Sequence, residues 1–212
     1  MKHSKGILIV ISGFSGAGKG TLVKRLLSDY DNYALSISMT TRAPRNSEKD
    51  GVEYFFVTKE EFEKTIEEGG LLEHACYCGN YYGTPKKYVE EQLALGRDVI
   101  LEIDVQGALQ IREKFDDTLL LFVTPPSAAE LKTRLEGRQT ESAEVIANRL
   151  SRANEESGWM KEYDFIVVND DLDECVVNTN SMIEAAHCTP IRSSALINNL
   201  QEELKGFSKG DN

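Results

Sequence analysis

The feature that most constrains this chain is a glycine-rich loop between an apolar segment and an amphipathic segment near its N-terminus. Ile7–Ile11 is continuously apolar and rich in branched side chains, which is typical of a parallel strand buried on both faces. Beyond the loop, apolar residues recur at helical spacing as far as Tyr30. The order strand, glycine loop, helix favours an α/β fold built on a parallel sheet.

The loop itself has the composition and spacing of a polyphosphate-binding site. Glycines let successive backbone N–H groups turn inward around phosphate oxygens, and the N-terminus of the following helix adds positive partial charge. Lys19 is placed to reach the β- and γ-phosphates of a nucleotide. A purely structural glycine turn is the alternative, which the agreement of strand, loop and helix disfavours. The candidate ATP-binding residues here are Gly13, Phe14, Ser15, Gly16, Ala17, Gly18, Lys19, Gly20 and Thr21.

The remainder of the chain repeats the alternation of strands and helices. Strands are predicted at residues 33–38, 98–103, 118–124 and 163–169, and the clearest helices between them at residues 106–114 and 128–136. Such alternation implies right-handed crossovers, which place helices on both faces of the parallel sheet. The tail from Thr189 predicts one terminal helix with a polar end.

Two stretches interrupt this alternation. Residues 39–95 combine short strand-like segments with a helix capped by Thr58 and another opened by Pro85, which indicates an inserted subdomain. Residues 137–160 are polar and rich in arginine, as expected of a mobile lid. We therefore predict a core of residues 1–38, 96–136 and 161–212, with the inserted subdomain and the lid between its parts.

The charge balance restricts the partners of this chain. A formal net charge of −11 and a pI near 4.9 disfavour nucleic acid and anionic membranes, which require broad basic surfaces, but leave room for a small phosphorylated ligand. The apolar run Ile7–Ile11 is too short to span a membrane. The four cysteines form no CxxC pair and lack histidines at metal-binding spacing, which favours reduced thiols in a cytoplasmic protein. The sequence leaves homo-oligomerisation open.

A second motif places Arg42 and Arg45 on either side of a proline, with Tyr54 shortly after. Arginine grips a dianionic phosphate in bidentate fashion, and a tyrosine hydroxyl completes the contact, although two solvated surface arginines are the alternative. The run from Ser38 to Tyr54 resembles the guanylate kinase signature, in which Ser/Thr-x-Thr-Thr-Arg-x-Pro-Arg is followed by Glu, Gly and Tyr-x-Phe. Further matching blocks occur in the same order over nearly the whole chain.

The resemblance implies an enzyme that transfers the γ-phosphoryl group of ATP to GMP with Mg²⁺. It also implies a P-loop NTPase-type parallel sheet flanked by helices, an inserted mixed α/β GMP-binding subdomain and a small helical lid. Carried over residue by residue, Glu73 and Asp104 face the N1 and N2 donors of guanine, and Ser38 and Thr84 face O6. A solvated carboxylate is the alternative for Glu73, and a helix cap is the alternative for Asp104. The GMP phosphate is assigned to Arg42, Arg45, Tyr54 and Tyr82.

The resemblance also assigns the metal and the groups that serve phosphoryl transfer. Glu102 occupies the position that orients magnesium-bound water, and Asn169 lies beside the adenine of ATP. The loop departs from Gly-x-x-x-x-Gly-Lys-Ser/Thr because Gly20 follows the lysine, which implies that Mg²⁺ is held largely by water and nucleotide oxygens. Gln139 stands where the family usually has glycine. The cations assigned to the transferring phosphoryl group are Lys19, Arg134, Arg138 and Arg149, whereas Arg152 is as readily a surface ion-pair partner.

Two related functions share parts of this pattern. A ribose bisphosphate phosphokinase has the same loop and fold, but the arginine motif together with Glu73, Tyr82, Thr84 and Asp104 favours a guanine nucleotide as acceptor. A non-catalytic guanylate-kinase-like module that binds phosphorylated peptides would have a degraded glycine loop. This chain retains Lys19 and all the loop glycines, which favours the enzyme.

Overall fold

Two sheets and a set of surrounding helices make up the structure, a computed structural model that describes residues 5–45, 48–77, 79–137 and 142–208. The strands of these residues are β1 (Leu8–Gly13), β2 (Tyr33–Leu35), β3 (Met39–Thr40), β4 (Phe55–Phe56), β5 (Leu71–Tyr77), β6 (Asn80–Pro85), β7 (Asp98–Glu102), β8 (Thr118–Thr124) and β9 (Phe165–Val168). The helices are α1 (Lys19–Asp29), α2 (Lys59–Glu67), α3 (Lys86–Ala94), α4 (Val105–Lys114), α5 (Ala128–Glu136), α6 (Ala143–Ser157), α7 (Leu172–His187) and α8 (Ser194–Ser208), with a 3₁₀ turn at Met160–Glu162. Within the described ranges, the helices fall short of the length and apolar character needed to cross a membrane.

The larger sheet is parallel and has the strand order β2–β7–β1–β8–β9. Every residue of β1 is buried, as its unbroken apolar sequence predicts for a strand covered on both faces. Side chains of β1, β7 and β8 form one core with those of α1, α4 and α7. The predicted α/β fold with a parallel sheet flanked by helices is therefore confirmed.

The smaller sheet has the order β4–β3–β6–β5 and is built entirely from residues between β2 and α3. β3 pairs with β4 in parallel and with β6 in antiparallel fashion, and β5 and β6 form an antiparallel pair. Helix α2 begins with a complete capping box, in which the Thr58 hydroxyl accepts from Glu61 N and the Glu61 carboxylate accepts from Thr58 N. Residues of this sheet form one side of the cleft described below.

Some predicted boundaries differ from the structure at the ends of elements. The strand predicted to begin at residue 163 starts at Phe165, because Tyr163 still closes the 3₁₀ turn through a bond from its N–H to Met160 O. The terminal helix predicted from Thr189 begins at Ser194. Residues 189–193 instead form a turn in which Arg192 N and Ser193 N donate to Thr189 O, next to Pro190, which has no N–H to donate.

A buried polar cluster ties the amino end of the parallel sheet to α7. Asp98, which is 2% exposed, accepts through Oδ1 from Ile7 N at 2.7 Å and through Oδ2 from Asn32 Nδ2 at 3.2 Å. Its Oδ2 also lies 2.9 Å from His187 Nε2 at the end of α7. One carboxylate thus binds both a backbone donor next to β1 and a buried imidazole, so its loss removes a hydrogen-bond partner from each of these groups.

We predict that Asp98→Ala lowers the free energy of unfolding by about 3 kcal/mol, because it removes the acceptor of the buried Ile7 N–H and the contact with the buried His187 imidazole. Urea denaturation at neutral pH measures the change. Asp29→Ala, which removes an exposed partner of Arg25, is the matched control and is expected to cost under about 1 kcal/mol. Equal effects of the two substitutions would show that the Asp98 cluster carries no special share of the stability.

Candidate functional site

A cleft of about 380 Å³ opens at the carboxyl ends of β1 and β7, between the parallel sheet, the smaller sheet and α6. In parallel sheets this edge is where ligands bind, because the loops after successive strands converge there. Most of the predicted site residues meet in this cleft, and several further residues complete its walls. It is lined by Gly13, Ser15, Lys19, Ser38, Arg42, Arg45, Glu48, Tyr54, Glu73, Ala75, Tyr82, Gly83, Glu102, Ile103, Asp104, Arg149, Arg152 and Glu156.

The glycine loop curls between β1 and α1. Gly13 has φ 139°, and a Cβ there would lie 2.0 Å from Val123 O of the neighbouring strand, so only glycine fits. Gly18, at φ 93°, is the N-cap of α1. Lys19 begins the helix and folds back over the loop, where its Nζ donates to Gly13 O at 2.7 Å and to Phe14 O at 3.1 Å. The ammonium group is thereby centred on the loop that the sequence assigns to phosphates.

Asn169 and Arg134 lie behind this loop. The Asn169 side chain is buried and donates through Nδ2 to Ala17 O at 2.8 Å, while the backbone carbonyl of Asn169 accepts from Arg134 Nη1 at 2.9 Å. Arg134 is further held by Glu130 on its own helix at 2.7 Å. Neither residue lines the cleft, so in this structure both support the loop. Phe14 and Ala17 are also buried, and neither of them lines the cleft.

Arg42 is held in a fixed orientation by Glu48 and an aromatic pair. Its Nη2 donates to Glu48 Oε1 at 3.0 Å, and its Nη1 lies 3.0 Å from Glu48 Oε2, which makes a bidentate pair. The guanidinium lies 5.3 Å from the ring centre of Tyr54, which packs at 6.0 Å against Tyr82. The hydrogen bond from Arg42 lowers the pKa of Glu48, with help from the Arg45 N–H. These side chains form a rigid basic and hydroxyl-bearing wall.

Glu73 is an acceptor group buried in the opposite part of the cleft. It is 4% exposed and accepts from Thr84 Oγ1 at 2.5 Å. Burial raises the pKa of Glu73 from 4.5 to about 7, against the opposing hydrogen bond from Thr84, and the charge of Asp104 adds to the rise. Thr84 itself is fully buried behind Glu73 and does not line the cleft, so it acts on the cleft through Glu73.

Asp104 has two roles that the sequence left as alternatives. Its Oδ1 accepts from Gly107 N at 2.9 Å and caps α4. Its Oδ2 faces the cleft and lies 3.7 Å from Arg152 Nη2. A Cβ at Gly107 would lie 2.8 Å from Glu73 Oε2, so the close approach of the Glu73 carboxylate to α4 depends on glycine there.

Glu102 ends β7 beside the start of α1. Its carboxylate lies about 3.6 Å from the position that a Cβ on Gly20 would take, so the missing side chain leaves space in front of a carboxylate. The protein walls of the cleft raise the pKa of Glu102, against the opposing charges of Lys19 and Lys24. Among the residues that the structure describes, no three His, Cys, Asp or Glu side chains gather to hold a metal on their own. One carboxylate facing open space fits a Mg²⁺ ion that keeps most of its waters.

Helix α6 crosses the mouth of the cleft and contributes basic side chains. Arg149 Nη1 donates to Ser15 Oγ of the glycine loop at 3.0 Å. Arg138, which the sequence also assigned, lies outside the described residues. Two residues outside the predicted set, Glu48 and Glu156, hold Arg42 and Arg152 through their carboxylates. The only sequence signal for Glu48 is its fixed position in the motif that includes Arg42 and Arg45.

Comparison with known proteins gives one consistent result. The family model described as "Guanylate kinase" matches residues 5–186. The guanylate kinase of Halalkalibacterium halodurans is 50% identical over 188 residues, which cover 89% of this chain and 92% of that protein. The guanylate kinase of Streptococcus pneumoniae strain R6 is 52% identical over 86% of this chain and 88% of its own length. The crystal structure of guanylate kinase from Anaplasma phagocytophilum superposes with a TM-score of 0.75 at 33% identity, over 91% of this chain and 92% of that one.

We predict that Glu73→Gln stabilises the protein increasingly between pH 5 and pH 8. The folded protein retains the Glu73 proton up to about pH 7, whereas an ordinary carboxyl releases it near 4.5, so the parent loses stability as the pH rises between these values. The stabilisation by glutamine should grow by up to about 3 kcal/mol over this range. Urea denaturation at both pH values measures it, with the exposed Glu67→Gln as control. A pH-independent difference would contradict the buried, protonated carboxyl.

Proposed function

The chain belongs to the guanylate kinase family and is a nucleoside monophosphate kinase, and on this premise we propose that its cleft transfers the γ-phosphoryl group of ATP to GMP. The observation that supports the proposal is that the glycine loop and the smaller sheet line the same cleft. The glycine loop with Lys19 forms one side, and the smaller sheet with Arg42, Tyr54 and Glu73 forms the other. A donor phosphate on the loop and an acceptor phosphate at the arginine wall would face each other across it.

We assign the acceptor to the smaller sheet by the chemistry of its walls. Guanine offers N–H donors at N1 and N2 beside an acceptor at O6, so it requires carboxylates on one side and a hydroxyl donor on the other. Glu73 and Asp104 supply the carboxylates, and Ser38, which lines the same cleft, supplies a hydroxyl. Thr84 would serve O6 only after leaving Glu73, so we assign it to the orientation of that carboxylate. The phosphate of GMP is assigned to Arg42, Arg45, Tyr54 and Tyr82.

Phosphoryl transfer needs positioned positive charge and no covalent nucleophile on the protein. The transition state is loose, and charge spreads over the peripheral oxygens of the transferring group. Lys19 on the loop and Arg149 on α6 both line the cleft where that charge would develop. Arg134, now bound to the Asn169 carbonyl, would have to change partner to reach the phosphates, and Arg138 completes the proposed set.

The arginines and carboxylates of the cleft belong to separate parts of the proposed domain organisation, which can move relative to one another. We propose that residues 39–95 form the GMP-binding subdomain, residues 137–160 the lid, and the remainder the core. Closure of both pieces over bound substrates excludes water, which would otherwise compete with GMP for the phosphoryl group. The described cysteines Cys76, Cys175 and Cys188 are free thiols, which supports the proposal of a reducing, cytoplasmic location.

Glu102 and the substrate phosphates are the groups that we propose to hold Mg²⁺. Glu102 would hold a water of the hydrated ion, and Gly20 leaves the space for that water where many glycine loops have a hydroxyl. When bound, Mg²⁺ neutralises charge on the nucleotide phosphates. The Glu102 side chain lines the cleft near Lys19, at the carboxyl end of β7.

We predict that ADP release in a coupled assay with ATP and Mg²⁺ is fast with GMP and slow with AMP or ribose 1,5-bisphosphate. Lys19→Ala should lower kcat by at least about a hundredfold and leave the fold intact, because Lys19 serves the transferring phosphoryl group and its side chain extends from the start of α1 over the loop and into the cleft, not into the core. Circular dichroism of the variant is the control for folding. Comparable turnover with ribose 1,5-bisphosphate, or a folded and active Lys19→Ala, would refute the proposed function.

We predict that Glu73→Gln reduces the preference for GMP over AMP by at least about tenfold in kcat/KM. At pH 8, above the pKa of about 7 of Glu73, adenine offers the ionised Glu73 carboxylate no donor, because it has a bare N1 and no substituent at C2. Sites matched in this way reject an analogue by about ten-thousandfold. An amide can donate to adenine N1 but suits guanine less well. The KM for ATP is the internal control and should stay near the parent value, and an unchanged GMP/AMP ratio would mean that Glu73 does not recognise the base.

A further inference from the structure

Helix α6 presents two arginines to the cleft on one face. Residues three apart on a helix lie on the same side, and Arg149 and Arg152 have this spacing. Arg149 contacts the glycine loop through Ser15 Oγ at 3.0 Å, whereas Arg152 Nη2 lies 3.7 Å from Asp104 Oδ2 at the end of β7. One helix therefore contacts both halves of the cleft, the half assigned to ATP and the half assigned to guanine.

The Arg152 guanidinium is fixed between two carboxylates. Its Nε donates to Glu156 Oε1 at 3.0 Å, one turn along the same helix, and Glu156 is largely buried, with 15% of its side chain exposed. Asp104 lies at the start of α4, so its contact with Arg152 joins α6 to a different part of the chain. All three side chains line the cleft, and about a third of the Arg152 and Asp104 side chains is exposed to solvent. A ligand in the cleft would lie against this pair.

Asp104 can serve Arg152 and a ligand together. Its Oδ1 accepts from Gly107 N, so Oδ2 is the oxygen that faces the cleft. A carboxylate oxygen accepts more than one hydrogen bond, and the donor edge of a base would approach Oδ2 from within the cleft while Arg152 approaches from α6. A bound base also removes water from around the ion pair, which strengthens the attraction between its charges.

We propose that Arg152 is a positioning residue that couples the lid helix to occupancy of the base site, an inference that rests on the proposed function. Guanine bound at Asp104 strengthens the Asp104–Arg152 pair, and the pair holds α6 over the cleft. Arg149, on the same face of α6, is then held at the loop that binds ATP. GMP binding therefore tightens ATP binding, and by linkage ATP tightens GMP binding by the same factor.

Calorimetric titration of a non-hydrolysable ATP analogue, with and without saturating GMP, tests the coupling. In the parent we expect GMP to lower the Kd of the analogue. Arg152→Gln should reduce that factor by about threefold, the size expected for a partly exposed ion pair, and leave the Kd of the analogue alone unchanged. Arg152→Lys, which keeps the charge, should restore part of the factor. Arg25→Gln removes another arginine from partly exposed ion pairs outside the cleft and should change nothing.

The outcomes separate this inference from the proposed function. A parent that binds no GMP would overturn both. A parent with the expected coupling and an Arg152→Gln variant with the same coupling would overturn the inference alone. Tighter GMP binding by the variant would also overturn it, because Arg152 would then be a competitor of the base for Asp104. Equal thermal midpoints of parent and variant exclude a general loss of structure as the cause of a reduced factor.

Discussion

The burial of β1 between β7 and β8 is the constraint on which the rest of this structure depends. Its apolar side chains are covered on both faces, which fixes the strand in register with both neighbours, Ile11 beside Glu102 and Gly13 beside Val123. The same register places the glycine loop and the Glu102 carboxylate at one edge of the sheet. Because the sheet is parallel, the connections that carry the functional groups emerge at that edge too. The hydrophobic core thus determines where the chemistry occurs.

An acidic protein that handles anions must concentrate its positive charge locally. The chain carries a net charge of −11, and two arginines of the cleft are held by carboxylates, Arg42 by Glu48 and Arg152 by Glu156 and Asp104. Such pairs orient the guanidinium groups before a ligand arrives, which lowers the entropy cost of binding. Glu73 differs, because it has a hydroxyl partner and a raised pKa instead of a nearby arginine. The cleft therefore has a basic wall at Arg42 and a wall of hydrogen-bond acceptors at Glu73.

Sequence reasoning was most accurate where a local pattern has a direct structural cause. The strand at Thr118–Thr124 and the helix at Ala128–Glu136 lie where they were predicted, because apolar periodicity acts over a few residues. Contacts between segments far apart in the chain were not predicted. The Asp98 cluster joins residues about 90 positions apart, and no local sequence pattern around Asp98 predicts its partners. The hydrogen bond from the Asn169 side chain to Ala17 O is another such contact, and the place of Asn169 beside the adenine of ATP stays a prediction.

By itself the sequence determined the class of fold, the glycine loop, the arginine motif and, through its resemblance to a family, the identity of most cleft residues. These are properties of short segments, in which spacing and side-chain chemistry suffice. Only the tertiary structure decided how the residues share partners. Thr84 lies behind Glu73, Asp104 both caps α4 and meets Arg152, and Glu48 holds Arg42. The reason is physical: a hydrogen bond or an ion pair depends on distances of a few ångströms between segments far apart in the chain, and only packing of the core sets those distances.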